Sequence, residues 1–489
     1  MHKQTIHQRL EGHPPIVMLG VPFDNVTTAE TICLIEEMIR SGRPHYLATA
    51  NVDFLVQASR DVELRRILLD AHLVLCDGTP LVWASKILGN PLPERVAGSD
   101  LIPILLQVAA ERGFRPFFLG ATPEVAARAV KLVSEHYPGI QIAGHYSPPF
   151  NKLIEMDHEA ITQRIREAKP DMLFVGFGCP KQEKWIAMHY QSLGVPVSVG
   201  VGATIDFLAG HVRRAPRWMQ KSGTEWIFRL LQEPGRLLKR YSTDLRYFSV
   251  AIVKQWWKLR YRQQSSEAPR TVEVQETKSW KLLSPSTRLD AQTVQQTSRI
   301  WEEALLRHQF CFIDLSRVEF IDSTGIGLLV KVQKQARKHH RHLVLINASE
   351  TVIRSLELMK LRDFFLHAPD LSTAQHLMEP ANQMKPVILG NSPHAVLPAL
   401  FWQGECVAAN AHEFWELTRS QIMARSEMGA DLAIDLTNLK FIDSSGLSVM
   451  LRARKFAQAQ GIQLVFAAPG ELVLNVLKLA QLEEYLVKK

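Results

Sequence analysis

A chain of 489 residues is too long for one hydrophobic core and implies roughly two to four domains, and 46% hydrophobic with 22% charged residues excludes a disordered or fibrous protein. The formal net charge of +8 suits phosphate, nucleic acid or an anionic membrane, so its location decides its meaning. Five scattered cysteines with no CxxC or Cys/His cluster argue against zinc and disulfide frameworks and fit a reducing, cytoplasmic setting. Met1–Pro15 lacks the apolar core of a signal peptide, and no run of about 18 apolar residues offers a transmembrane helix.

In chain order, Ile16–Phe23 reads as a strand, and Thr27 or Thr28 caps a helix with Ile32, Ile35 and Ile39 on one face. Tyr46–Ala50 is a strand that ends at Thr49 and Asn51, and Val52–Ser59 a helix. Leu73–Cys76 is a strand running into Asp77-Gly78-Thr79-Pro80, with a helix over Leu81–Leu88. Gly98-Ser99-Asp100 opens another helix, Arg115–Leu119 and Gln141–Ala143 are strands, and a helix covers roughly Asp157–Ala168. Strand Met172–Val175 ends in Gly176-Phe177-Gly178-Cys179-Pro180-Lys181-Gln182-Glu183, and strand Val197–Val201 in Gly202-Ala203-Thr204-Ile205-Asp206. This alternation predicts an α/β fold, Rossmann-like, with a mostly parallel sheet covered by helices on both faces.

Ligands bind beyond the carboxyl ends of strands in such sheets. Asp77 follows four apolar residues and precedes a Gly-Thr-Pro turn, so it can be aimed into a cleft while partly desolvated. It can equally cap the helix starting near Pro80, and both readings stay open. Gly176 and Gly178 let backbone amides approach a ligand, or form a plain tight turn. Gln182 falls in the first turn of the next helix, where it can hydrogen-bond a sugar or base. Neither GxGxxG after the first strand nor GxxxxGK[ST] is present, so dinucleotide and P-loop readings have no motif.

Thr49-Ala50-Asn51, Asp77-Gly78, Gly176–Glu183, Gly200–Gly210 and Arg214-Ala215-Pro216-Arg217-Trp218-Met219-Gln220-Lys221 stand in the order found in the WecG/TagA/CpsF glycosyltransferases, which Ile16–Phe248 resembles. The resemblance implies inverting, metal-independent transfer from a UDP-sugar to a polyprenyl-diphosphate-linked acceptor, with no cofactor. The first half has no Asp-x-Asp to hold a cation. By the same resemblance Asp77 is the catalytic base, Thr49 and Asn51 line the reaction centre, and Gln182 contacts the donor. Gly176, Gly178, Glu183 and Asp206, in the matching blocks, fall on the donor side. Thr224 replaces a Leu common before Glu225-Trp226, a packing position. An acceptor hydroxyl needs a carboxylate to take its proton, and a leaving diphosphate without a metal needs cations or helix N-termini.

Residues 211–262 form a basic, aromatic-rich helical appendage. Arg213, Arg214 and Arg217 are candidates to reach the donor diphosphate. The segment reads as a docking surface for an anionic membrane, or as a packed appendage with a solvated basic face; nucleic-acid binding has no accompanying motif. The expected setting is therefore the inner face of the cytoplasmic membrane, peripherally bound.

Polar residues 263–279 read as a flexible linker. Beyond it the chain repeats. Phe320-Ile321-Asp322-Ser323-Thr324-Gly325 recurs as Phe441-Ile442-Asp443-Ser444-Ser445-Gly446, each after an apolar strand and before a helix, so two copies of one small α/β domain are expected, at 280–378 and 386–487. Both resemble STAS domains, the fold of anti-anti-sigma factors. That resemblance points to Thr324 and Ser445 as phosphorylation candidates and to a separate kinase or anti-sigma-like protein as partner. Capping of the following helix is the alternative role for these hydroxyls. Two functions compete: a regulated transferase acting on N-acetylmannosamine, glucose or a similar sugar, with the repeats outside the chemistry, or a partner-switching regulator whose first half is inactive.

Overall fold

The computed structural model describes residues 13–211, 215–216, 219, 225–232, 234–260, 273–276, 280–339, 341–378, 387–391 and 398–486. The first apolar run folds as a hairpin instead of one strand, with β1 (Ile16–Met18) antiparallel to β2 (Val21–Phe23). Leu19 and Gly20 take φ of 50° and 87°, the geometry of a tight two-residue hairpin turn. Ile16 and Met18 enter the core of the first domain, while Val17 packs into the core of the next one. Alternation along a strand puts them on opposite faces.

The main sheet contains β3 (His45–Ala50), β4 (Leu73–Cys76), β5 (Pro116–Gly120), β6 (Gly144–Tyr146), β7 (Met172–Gly176) and β8 (Val197–Gly200). Their order is β4-β3-β8-β7-β5-β6, and every pairing is parallel. Strand β6 lies three residues beyond its expected position. Tyr46, Ala48 and Ala50 pack into one apolar layer and Leu47 into the opposite one, as a sheet covered on both faces requires. Helix α1 (Thr28–Ser41) starts with a Thr27/Glu30 capping box and ends at Gly42. Helices α2 (Val52–Ala58) and α3 (Val62–Asp70) join β3 to β4, and α4 (Thr79–Ile87) follows β4. The others are α5 (Gly98–Arg112), α6 (Pro123–His136), α7 (His158–Ala168), α8 (Lys181–Leu193) and the short α9 (Thr204–Leu208).

The appendage contributes α10 (Glu225–Gln232) and α11 (Pro234–Arg260), the latter 27 residues. At 1.5 Å per residue α11 runs for about 40 Å. Phe248, Ile252, Gln255 and Leu259 are buried along its inner face. Leu238, Leu245, Val250, Val253 and Trp257 are exposed on the outside. Among the described residues no helix is long and apolar enough to cross a membrane.

Each repeat builds a small sheet. The first runs β15-β14-β12-β10-β9, from β9 (Glu273–Glu276), β10 (Trp280–Ser284), β12 (Phe310–Asp314), β14 (His342–Ile346) and β15 (Leu366–Ala368). Residues 273–276, read from sequence as linker, thus form an edge strand antiparallel to β10. A separate parallel pair, β11 (Arg288–Leu289) with β13 (Phe320–Ile321), leads into α13 (Ser323–Lys338), and α12 (Val294–Arg307) packs beside it. In the second repeat β16 (Val387–Asn391), β17 (Pro398–Trp402), β19 (Leu432–Asp435) and β21 (Leu464–Ala467) form the sheet. There β18 (Gly404–Cys406) pairs with β20 (Leu439–Ile442), which leads into α17 (Ser444–Ala459); the intervening helices are α14 (Glu350–Leu358), α15 (Leu371–Leu377) and α16 (Ala411–Glu427).

Candidate active site

Parallel strand ends gather the candidate residues along one edge. The Asp77 amide donates to Ala50 O (2.9 Å), which holds the ends of β3 and β4 level. Thr49 Oγ1 donates to Gly200 O (3.2 Å), joining β3 to β8. The Val201 amide donates to Val175 O (2.9 Å), joining β8 to β7. Thr49, Asn51, Asp77, Gly176 and the 200–206 loop therefore share one rim.

Asp77 does not cap α4, whose N-cap is Gly78 with no side-chain cap bond. Its Oδ2 accepts instead from the Gly98 amide (3.3 Å) at the start of α5, so the carboxylate faces the positive end of a 15-residue helix. It is half-buried. The chain before α5 runs beside β4, with the Val96 amide donating to Cys76 O (2.9 Å). A Cβ at Gly98 would lie 3.2 Å from Thr49 Oγ1, so glycine lets α5 come close. The sequence marks Gly98 as a helix start but not as part of a site. It also misses Arg95, whose guanidinium pairs with Asp100 and, at 3.3 Å, with the buried Glu225 of α10.

Asn51 caps α2, its Oδ1 accepting from the Phe54 amide (3.3 Å). Gln182 is 2% exposed and its amide is engaged within the protein. Gln182 Oε1 accepts from the amides of Gly178 (3.1 Å) and Gly202 (3.0 Å), and Nε2 donates to Glu183 Oε1 (2.7 Å). Gln182 thus braces the loops at 178 and 202; a direct donor contact, expected from the resemblance, would require these bonds to open. Glu183 is likewise buried. Burial pushes its carboxyl up to about 7, against the opposing hydrogen bond from Gln182 and the nearby Cys179 thiol, and among the described residues Oε2 has no partner within hydrogen-bond geometry. Gly200 is required here, because a Cβ would meet Gln182 Nε2 and Glu183 Oε1 at 2.7 Å. Gly176 lies equally close, its Cβ position 2.9 Å from Ile205 Cδ1, whereas Gly178 turns with φ of 80° over open space. Burial raises the Asp206 carboxyl, with His211 opposing. Arg213, Arg214 and Arg217 lie outside the described residues. The arrangement offers a carboxylate and a hydroxyl on neighbouring strand ends, with glycine loops and helix N-termini along the same edge.

The model of the glycosyl transferase WecG/TagA/CpsF family matches residues 16–262, half of the chain. The chain belongs to this glycosyltransferase family. An N-acetylglucosaminyldiphosphoundecaprenol N-acetyl-beta-D-mannosaminyltransferase of Staphylococcus aureus strain MW2 is 32% identical over 252 residues, covering 51% of this chain and 97% of the relative. The same enzyme from strain NCTC 8325 gives the same identity and coverage. The STAS model matches 271–374 and 395–488. Among solved structures, the anti-sigma factor antagonist SpoIIAA in its unphosphorylated form is 18% identical with a TM-score of 0.20, covering 22% of this chain and 96% of its own. Its phosphorylated form gives 17%, 0.20, 22% and 99%.

In both STAS domains of this glycosyltransferase the helix start is capped by the aspartate and not by the hydroxyl residue. Asp322 Oδ1 accepts from the amides of Thr324 (2.8 Å) and Gly325 (2.9 Å). Asp443 Oδ1 accepts from those of Ser445 (2.8 Å) and Gly446 (3.0 Å). Burial pushes Asp322 up to about 6 and Asp443 up to about 7, the latter with the Glu63 charge adding to it. Thr324 is 3% and Ser445 9% exposed, so neither sits on an open loop.

Proposed function

We propose that the first 262 residues transfer a sugar from a UDP-sugar to the hydroxyl of a polyprenyl-diphosphate-linked acceptor, with inversion and without a metal or cofactor. Asp77 takes the acceptor proton as the acceptor oxygen bonds to the anomeric carbon, and the bond from that carbon to the UDP oxygen breaks. Thr49 and Asn51 shape the reaction centre. The leaving diphosphate meets the loops 176–178 and 200–202, with Arg213, Arg214 and Arg217 as further cationic candidates. The observation that carries this reading is the half-buried Asp77 carboxylate at the shared edge of β3 and β4, within a match to the transferase family that spans 16–262. The names of the Staphylococcus relatives make N-acetylmannosamine the first donor to try and an N-acetylglucosaminyl diphosphopolyprenol the first acceptor.

The exposed apolar stripe of α11 supports docking at the inner face of an anionic membrane. Leu238, Leu245, Val250, Val253 and Trp257 stand out from the protein with exposed Arg246, Lys254 and Lys258 among them. That composition suits the headgroup region, where the acceptor lipid resides. The STAS pair is regulatory, with Thr324 and Ser445 as sites for a separate kinase or anti-sigma-like partner once their loops are uncovered. The test is UDP release by the purified full chain from a panel of UDP-sugars with a diphosphopolyprenol acceptor. Release that needs both substrates supports the reading. No release with any donor, from a folded protein, leaves a non-catalytic partner-switching regulator.

A further inference from the structure

One buried polar side chain of the transferase half holds each Asp-Ser-(Thr/Ser)-Gly loop. In the first STAS domain it is Gln255 of α11, 2% exposed. Its Nε2 donates to Ser323 Oγ (3.0 Å) and Val17 O (2.9 Å), and its Oε1 accepts from the Leu19 amide (3.0 Å). In the second it is Glu63 of α3, also 2% exposed. Glu63 Oε1 accepts from the Ser444 amide (2.5 Å), the remaining free N–H of a helix start whose next two amides are capped by Asp443. The transferase thus completes the cap of a STAS helix.

The same helix α3 touches both STAS domains. Arg66 forks onto Glu405 of the second domain (2.8 and 3.1 Å), and its guanidinium lies between Phe364 and Phe441, one from each. Asp70 pairs with Arg337 of the first domain (2.8 Å). Glu63, Arg66 and Asp70 are spaced three and four apart, so they share one face of the helix.

The other oxygen of Glu63 pairs with a lysine of α8. Oε2 lies 2.7 Å from Lys184 Nζ, which also pairs with Asp61, the N-cap of α3, at 2.7 Å. Lys184 belongs to the first turn of α8, directly after Gln182 and Glu183, and Gln182 holds the amides of Gly178 and Gly202. One buried carboxylate therefore bridges a STAS loop and the helix whose start braces the donor-side loops. A buried charge that loses one of its two partners must move or draw in water.

We propose that the loop of the second STAS domain is a built-in control element of the transferase, acting in cis. When Ser444 is seated on Glu63, that carboxylate fixes Lys184 and, through it, the first turn of α8. When the loop leaves, Glu63 reorients and the loops 176–178 and 200–202 loosen. Glu63 and Lys184 are positioning residues, and the partner of this STAS loop is the chain's own transferase domain. The effect on donor binding rests on the site proposed above; the mechanical coupling does not.

Ser444→Pro tests this. Position 444 is the first residue of α17, where proline is favoured, and Asp443 already has the extended backbone that precedes proline (φ −104°, ψ −174°). The substitution removes the amide donated to Glu63 while suiting the STAS helix itself. Ser444→Ala keeps that amide and is the control. In the full chain, hydrogen exchange in Ser444→Pro should speed up by about tenfold or more over 61–66 and 180–186, the scale of losing a hydrogen bond to a charged group. Exchange over 116–119 should not change, and Ser444→Ala should match the parent. UDP binding measured by calorimetry should weaken in Ser444→Pro alone. Unchanged exchange at 180–186 while 443–448 exchanges faster overturns the proposal, as does equal loosening in Ser444→Ala. If Ser444→Pro fails to fold, Glu405→Arg separates the same domains by repulsion from Arg66 at a partly exposed position, and the same exchange pattern is required of it. A parent chain that binds no UDP sinks the donor-site reading and leaves the exchange result to decide the coupling.

Discussion

Glu183→Gln should flatten part of the pH dependence of stability. Glu183 is buried, its Oε1 accepts from Gln182 Nε2, and among the described residues its Oε2 has no partner within hydrogen-bond geometry. Burial moves its carboxyl from an ordinary 4.5 up to about 7. The sign follows from proton binding. Between about 4.5 and about 7 the folded protein holds this proton and the unfolded chain does not, so stability falls as pH rises through that window. Each pH step is worth about 1.4 kcal/mol, so the full window is worth about 3 kcal/mol. The amide of glutamine can keep the acceptor toward Gln182 and carries no charge. Urea unfolding of the parent and of Glu183→Gln at pH 5 and pH 8, followed on the transition of the transferase half, measures the difference. The parent should lose about 3 kcal/mol more than the variant over that interval, a difference that cancels the parallel contributions of Asp322 and Asp443. Parallel pH dependences would show that Glu183 is solvated or paired in the folded protein, and the brace of Gln182 and Glu183 described above would be wrong.

Three other outcomes follow from the packing. Gly327→Ala places a Cβ 1.8 Å from Pro15 O, so the first STAS domain must shift off β1, and exchange over 16–18 should rise while overall folding persists. Thr324→Glu puts a carboxylate where a 3% exposed hydroxyl has no hydrogen-bond partner among the described residues, and should cost about 3 kcal/mol or more, read as a lower thermal midpoint. The triple substitution Val250→Glu, Val253→Glu, Trp257→Glu should abolish cosedimentation with anionic vesicles without changing the folded circular dichroism spectrum, whereas retained cosedimentation would place the docking surface elsewhere.

The sheet and its edge were legible in the sequence because buried parallel strands are continuous apolar runs that stop at small polar residues. Tyr46–Ala50 ending at Thr49-Asn51 and Leu73–Cys76 ending at Asp77 are such cases. The hairpin at Ile16–Phe23 was not legible, since an apolar run buried on both faces looks the same whether it continues or turns. The sequence put the candidate residues at strand ends, and the structure gathers those ends along one edge; their roles are the proposal made above. Thr49 and Asp77 lie on neighbouring strand ends and both border Gly98, but Gln182 and Glu183 turn inward, because side-chain direction on a helix start is set by what packs behind it, here Gly200. Gly98 and Arg95 went unread because they join the rim from loops distant in sequence.

The repeat of Asp-Ser-(Thr/Ser)-Gly fixed two like domains, and the backbone angles of Asp322 and Asp443 agree to within a degree. Their docking was invisible. Glu63, Arg66 and Asp70 read as the charged face of an ordinary amphipathic helix, and only tertiary structure supplies Ser444, Glu405 and Arg337 as partners. The sequence puts the STAS pair beyond a polar linker and outside the chemistry but carries no sign of the surface, centred on α3, on which both domains pack.

In the proposed transfer Asp77 removes the acceptor proton. The most direct measurement is the rate of UDP release by Asp77→Asn beside the parent, with the same UDP-sugar and diphosphopolyprenol acceptor, together with UDP affinity for both proteins. If Asp77 is the base, affinity is unchanged and turnover is lower by about 10²–10⁴, the usual range for losing a general base. Turnover within a few fold of the parent would contradict it and remove Asp77 from the mechanism.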